Sequence, residues 1–373
     1  MGENDTERNL LRSLINASEK AANIARICRS NEQLLSLLVQ EKSGTEANAR
    51  FEHDFKTLAD VLIQETIKHD VGNLFPELRE SICGEESPNF TNTLGESVTI
   101  SVGDTLTNTI QCLSTVLNGN EEAAEALANE VHRDISFEDE RLGDIPALPN
   151  DLAYEELGIW IDPIDATAEY ISGDSMFTNF PGITSTGLDC VTVLIGVYNR
   201  LTGIPIIGVI SQPFQQKIID NEYRSLVFWG VALPDLQVNN CKFDARIRNP
   251  LGIFSSSENP DVLQCFLNLG YEIAFSAGAG HKALKVITNE VEIYTLSKAG
   301  TFRWDTCAPQ AILRSIGGDI YNYSESVKQQ KPIALNYSPA NDNEENWKCN
   351  KGGLIAIRDS NNIEQFIVAL ANV

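Results

Sequence analysis

From Glu7 to about Val39 the apolar residues Leu10, Leu11, Leu14, Ile15, Ala21, Ala22, Ile24 and Ala25 recur at intervals of three and four, which predicts an amphipathic helix or helix pair facing a core. A charged turn containing Gly44 follows. A second helical stretch, DFKTLADVLIQETIKHDV, then carries Asp60 inside an otherwise apolar face. Residues 87 to about 157 lose this regularity. They mix Asn, Thr and acidic residues around one clear helical segment, NEEAAEALANEV, and close on the proline-rich DIPALPND. That texture suits a strand-containing connection with an insertion.

From Gly158 the pattern becomes that of strands. GIWID, CVTVLIGVYN, GIPIIGVISQPF and YRSLVFWG are β-rich runs parted by turn residues, with a hairpin turn expected at Thr202-Gly203. Beyond Gly252 the strand-like LGIFSSS, YEIAFSAGAG and VEIYTL alternate with helices expected from Asp261 to Leu269, from His281 and from Asp305. The chain therefore reads as an α+β first part, residues 1–250, and an α/β second part, residues 251–373, without internal repeats.

Composition narrows the partners. With 373 residues and 42% hydrophobic content the chain can bury a large core, as one unit or two packed domains. Its 52 acidic against 28 basic residues give a net charge of −24, which argues against sequence-independent binding to nucleic acid or to an anionic membrane. An anionic ligand would need metal ions or a local basic patch to receive it. Eight scattered cysteines with no C-x-x-C pair suit reduced thiols in a cytoplasmic protein. The start, MGENDTERNL, is too polar for a signal peptide, and the most apolar stretch, Cys190 to Ile210, is broken by Asn199, Arg200 and Gly203. No membrane span is expected. Gly2 and Thr6 fit the loose myristoylation pattern, with acidic Glu3 and Asp5 between them.

Candidate chemistry concentrates in GIWIDPIDATAEYISG. An apolar run ends in Asp162, Pro163 fixes a turn and Asp165 follows, so both carboxylates come to the mouth of a sheet. Paired carboxylate oxygens suit hard divalent cations, and Mg²⁺ takes one or two of them while leaving positions to water and substrate phosphate. Asp165 also reads as the cap of a helix beginning near Ala166, whose first N–H groups, on Ala166 and Thr167, would face an anion. A plain capped turn accounts for these residues equally well. Glu85 and Glu86 in CGEESP read as an acidic turn or as ligands. In RWDTCAPQAILRSIGG, Asp305 stands at a helix start, with Pro309 in the opening turn and Gly317-Gly318 as the stop.

Taken with Asp60, the motifs GEES, WIDPIDAT and WDTCAPQAILRSIGG resemble the lithium-sensitive, magnesium-dependent phosphatase superfamily that includes inositol monophosphatase and fructose bisphosphatase. Within it, DFKTLADVLIQE, GLDCVTVLIGVYNRLTGIPIIGVISQPF, AGAGHK and NKGGLIAIR resemble the branch acting at the 1-phosphate of inositol polyphosphates. The resemblance runs from the first helix to the end. It implies a layered αβαβα sandwich and a phosphomonoesterase acting on inositol 1,4-bisphosphate and inositol 1,3,4-trisphosphate. It also implies Mg²⁺ as cofactor, with two ions and a third, weaker position near Glu85, and inhibition by Li⁺. Glu85, Asp162 and the Ile164 carbonyl would hold the first ion; Asp162, Asp165 and Asp305 would hold the second. Asp60 would lie beside them, orienting Thr167 and through it the attacking water, and Glu86 would stand behind the ligands. Substrate contacts would come from Asp165, Ala166, Thr167, Gly278, Ala279 and Lys282, and from the neighbourhood of Ser257. There this chain carries Asn259 where relatives have a lysine, and His281, expected at the rim, stands where they have a tyrosine. A monomer is expected. Two other readings stay open: a phosphatase for 3′-phosphoadenosine 5′-phosphate, and a metal-binding or inositol-phosphate-binding protein without activity.

Overall fold

The computed structural model describes residues 8–30, 32–43, 54–217, 223–241, 250–338 and 348–373. Gly2 and the turn at Gly44 lie outside them. Two helices open the chain, α1 (Leu10–Arg29) and, after a short Glu32–Leu37 helix, α2 (Leu58–Leu74). The first sheet has six strands: β1 (Ile82–Gly84), β2 (Leu157–Asp165), β3 (Thr192–Asn199), β4 (Pro205–Lys217), β5 (Tyr223–Leu233) and β6 (Leu236–Asn239). They lie side by side in chain order, antiparallel except that β1 runs parallel to β2.

Alternation along these strands assigns each face to a layer. Ile159, Ile161, Val193, Ile195, Val197, Ile207 and Val209 point into one core with α1 and α2, whereas Trp160, Leu194, Tyr198 and Ile210 point into a second. That second core belongs to a middle layer of two helices and to one face of another sheet. Before them come α3 (Leu106–Val116) and α4 (Glu121–His132), both packed on the first core, the short α5 (Thr167–Ser172), and α6 (Pro260–Asn268). The middle helices are α7 (Ala279–Ile287) and α8 (Arg303–Ser315). The second sheet comprises β7 (Leu251–Phe254), β8 (Glu272–Phe275), β9 (Ile293–Leu296), β10 (Asp319–Asn322) and β11 (Leu354–Ile357), in the order β8-β7-β9-β11-β10. Its Ile253, Tyr294, Leu296, Leu354 and Ala356 face the middle helices. Phe254, Ile293, Ile355 and Ile357 face α6 and the last helix, α9 (Ile363–Leu370). The result is five layers, αβαβα.

One device fixes the height of α8. Gly196, Gly208 and Gly230 are cross-strand partners on β3, β4 and β5, so they line up under the helix. A Cβ added to them would stand 2.4 Å from the Ala308 nitrogen, 2.2 Å from its oxygen and 2.5 Å from Ser315 Oγ, respectively. Removing three side chains opens a trough in the sheet, and the helix backbone settles into it.

Several local expectations need correction. The second helix begins at Leu58, because Phe55–Thr57 pairs with Val39–Glu41 and Thr57 caps the helix in a capping box with Asp60. The stretch after residue 87 is more ordered than its composition suggests: Asn89–Thr91 and Ser97–Thr99 form a hairpin, and α3 carries a Thr105 cap. The middle helix α7 starts at Ala279, ahead of His281. Because α8 begins at Arg303, Asp305 is its third residue and Pro309 lies inside it, beyond the opening turn.

Candidate active site

Residues three apart on a regular strand face opposite sides of a sheet. Asp162 and Asp165 nevertheless share a cavity, because the pairing of β2 with β3 slips between them: Asp162 is opposite Leu194, and Asp165 is opposite Thr192. Pro163, which cannot donate to a ladder, stands in the slip. From the middle layer Asp305 joins them, its carboxylate accepting the Phe302 N–H at the start of α8. Ligand atoms of Asp162, Asp165 and Asp305 lie within 4.8 Å of one another. The Asp162 Oδ1 atom is fully buried and has no hydrogen-bond partner among the described residues.

Asp165 is not the cap of α5. Ala166 occupies that position in a left-handed conformation, φ 70°, without a side-chain cap. The Asp165 carboxylate instead accepts the N–H groups of Ala279, at 3.1 Å, and Gly280, at 2.9 Å, together with the Thr192 hydroxyl at 3.1 Å. It thereby ties β2 to the N-terminus of α7. Gly278 makes this approach possible, since its φ is 74° and a Cβ there would stand 2.9 Å from Asp165 Oδ2 and 2.8 Å from the Cys190 oxygen. Lys282 is buried, and its ammonium donates to the carbonyls of Ser276, at 3.1 Å, and Gly278, at 2.6 Å.

Thr167 opens α5 with its hydroxyl 3.0 Å from the Ile164 carbonyl and 3.4 Å from Asp60 Oδ1. Asp60 is fully buried, and its other oxygen accepts the Thr57 N–H at 2.7 Å and the Thr57 hydroxyl at 2.5 Å. Across the site Glu85 and Glu86 each lie 2.6 Å from Lys42 Nζ. Gln64 clamps the backbone of Glu86 in both directions, at 2.6 and 2.9 Å. Lys42 was not foreseen as part of the site; forty-three residues separate it from Glu85.

Burial dominates the electrostatics. It pushes Asp60 up to about 6 and Glu86 up to about 8, in the latter case with repulsion from Glu85 and against the pull of Lys42. Burial also holds Asp162 and Asp305 well above the usual carboxylate range, with Glu85 and Asp165 adding repulsion at both. Asp165 is raised by burial and drawn back by Lys282 and the two N–H donors. At Lys42, burial lowers the pKa but the two glutamates outweigh it. A buried set of hard oxygen donors, one of them unpartnered and all repelling one another, fits a divalent cation.

Glu85, Glu86, Asp162, Asp165 and Asp305 line a cavity of about 790 Å³ together with Ile164, Ala166, Thr167, Gly278, Ala279 and Lys282. Asp60 lies behind the wall. Ser257 and Asn259 are off it: Ser255 and Ser256 line the cavity at that end, while Asn259 caps α6 through the Asp261 N–H. His281 is not at the rim but buried beneath it, where burial and then Lys285 and Lys282 hold its pKa well below the ordinary value. Cys307 is buried, and none of the eight cysteines is disulfide-bonded.

Residues 90–362 match the family model described as the inositol monophosphatase family. The chain belongs to the inositol monophosphatase family. It is 40% identical over 386 residues to inositol polyphosphate 1-phosphatase of Mus musculus, covering 97% of this chain and 96% of the relative. It is 41% identical to inositol polyphosphate 1-phosphatase of Bos taurus over the same shares. The extragenic suppressor protein suhB of Bartonella henselae shares the fold, with a TM-score of 0.52 over 96% of both chains at 14% identity. Within this metal-dependent family the chain is a phosphoric monoester hydrolase of inositol phosphate metabolism, of the inositol polyphosphate 1-phosphatase class. No helix among the described residues is long and apolar enough to cross a membrane.

Proposed function

We propose that the enzyme removes the 1-phosphate of inositol 1,4-bisphosphate and inositol 1,3,4-trisphosphate by direct attack of water, with Mg²⁺ as cofactor and Li⁺ as inhibitor. The observation that carries this reading is the convergence of Asp162, Asp165 and Asp305 around an unpartnered buried oxygen. Glu85, Asp162 and the Ile164 carbonyl would hold one ion, and Asp162, Asp165 and Asp305 the other, with a third, weaker position near Glu85. With the single Thr167 hydroxyl proton directed to Asp60, the Ile164 oxygen 3.0 Å away keeps its lone pairs for a cation. When bound, the ions neutralise the phosphate dianion and act as Lewis acids at the attacking water and the leaving oxygen.

The chain's own residues do the rest. Asp60, locked by Thr57, holds the Thr167 hydroxyl in the direction that orients a water on phosphorus. The N–H groups of Ala166 and Thr167, beside the small residues Gly278 and Ala279, let a phosphate approach the backbone. Burial keeps bulk water out of the floor, which strengthens each of these interactions. A monomer acting in the cytoplasm is part of the same reading. The two-part division near residue 250 would then separate the strand bearing Asp162 and Asp165 from the helix bearing Asp305.

Phosphate release would be followed on the two inositol polyphosphates and on 3′-phosphoadenosine 5′-phosphate, with Mg²⁺, with a chelator, and with millimolar Li⁺. Mg²⁺-dependent release from the inositol substrates, inhibited by Li⁺ at saturating substrate, is expected. Preference for the nucleotide, or turnover indifferent to chelation, would overturn the reading.

A further inference from the structure

Lys282 and Lys348 are the cations among the described residues lining the cavity, against Asp54, Glu85, Glu86, Asp162, Asp165, Glu169 and Asp305. Lys282 is turned onto two backbone carbonyls. Lys348 is placed differently. Its ammonium sits 5.8 Å from the ring centre of Trp304 and 5.9 Å from that of Trp160. Trp304 in turn stacks on Phe302 at 4.6 Å with planes 3° apart, so a layered aromatic wall carries the lysine. Its backbone is pinned as well: the Lys348 carbonyl accepts the Arg303 N–H at 2.9 Å, and Phe302 bridges to Cys349. Ring faces hold a cation without accepting its hydrogen bonds in the lone-pair sense, so the three donors of the ammonium stay available. No carboxylate lies within 4.0 Å of it among the described residues.

We infer that Lys348 binds the phosphate that is not removed, and so sets the preference for substrates carrying more than one. This rests on the phosphatase reading above. The carboxylate floor takes the scissile phosphate through cations. A second phosphate in the same acidic cavity needs a counter-charge; neither Ser257 nor Asn259 reaches the wall, and Lys348 does. A charge-assisted contact of this kind acts on bound substrate and transition state alike.

The test compares wild type, K348M, which keeps the apolar stem against Trp304, and K348R, on inositol 1,4-bisphosphate with Mg²⁺. K348M is expected to raise KM roughly ten- to hundredfold with kcat within about twofold, and K348R to restore most of the loss. An unchanged KM in K348M, or a fall in kcat at constant KM, overturns the assignment. Should K348M lose its cooperative melt, K348Q carries the same comparison. Failure of the wild type to turn over the substrate would count against the phosphatase reading alone. Calorimetric binding of the bisphosphate in Mg²⁺ would then decide for Lys348, weaker binding by K348M supporting it and equal binding overturning it.

Discussion

Gly208→Ala tests whether the glycine trough sets the position of Asp305. The added methyl would stand 2.2 Å from the Ala308 oxygen and 3.0 Å from its carbonyl carbon, both helix backbone. Ordinary contact begins near 3.4 Å, so α8 must lift by roughly 1 Å, because a backbone carbonyl cannot rotate away as a flexible side chain would. Overpacking of this kind costs about 1–3 kcal/mol. At about 2 cal/mol/K per residue a chain of this length loses on the order of 1–4 °C of Tm. Activity should suffer more, since Asp305 is the third residue of the displaced helix and a misplacement near 1 Å costs on the order of a hundredfold in rate. Thermal melts and phosphate release on the same preparation measure both effects. A variant with wild-type Tm and wild-type kcat would refute the argument, and one with lowered Tm but full activity would show that the trough does not govern Asp305.

Asp165→Asn should abolish hydrolysis, falling at least about a hundredfold, while the protein still melts cooperatively. An amide nitrogen turned toward the N–H groups of Ala279 and Gly280 repels donors that the carboxylate accepted, and the anionic ligand is lost as well. Asp60→Ala should do the same by releasing Thr167; wild-type turnover in either variant would show the site assignment to be wrong. The pH dependence follows from acids whose native pKa values are raised. Asp60, near 6, and Glu86, near 8, bind protons in the native state that the unfolded chain, at 3.8 and 4.5, has given up. With Mg²⁺ chelated, their contribution to stability is therefore present at acid pH and lost as pH rises from about 4 through about 8. Saturating Mg²⁺ should raise Tm most at the alkaline end of that window, which melts across pH with and without chelator would read; an Mg²⁺ effect that shrinks with rising pH would contradict it.

Period alone carried the fold a long way. Odd and even residues of GIWID went to different cores, and the alternating second half gave the second sheet. What sequence could not carry was the height of one layer on another. Gly196, Gly208 and Gly230 are unremarkable until the strands pair and bring them into one row. The same holds for Asp165. An aspartate before a helix reads locally as a cap, but its partners are on a segment more than a hundred residues away. Lys42 and Lys348 lacked any local signature for the same reason, each acquiring its place through neighbours distant in sequence. Asn259 drew notice only through the family resemblance, and nothing local marked it as what it is, the cap of α6.

These misses share a cause that bears on how the site is held. Asp162 and Asp165 come from the first sheet, Asp305 and the N–H donors to Asp165 from the middle helices, and Asp60 from the outer helix α2. The set Asp162, Asp165 and Asp305 joins two layers, whereas Glu85, Asp162 and the Ile164 carbonyl lie on the first sheet. A carboxylate cluster that repels itself and is desolvated by burial pushes the layers apart, whereas a bound divalent cation reverses that sign and draws sheet and middle helices together. Cation binding and layer packing are thus one equilibrium. A substitution in the trough beneath α8, distant from the ligands in sequence, should therefore weaken Mg²⁺ binding as directly as the loss of a ligand does.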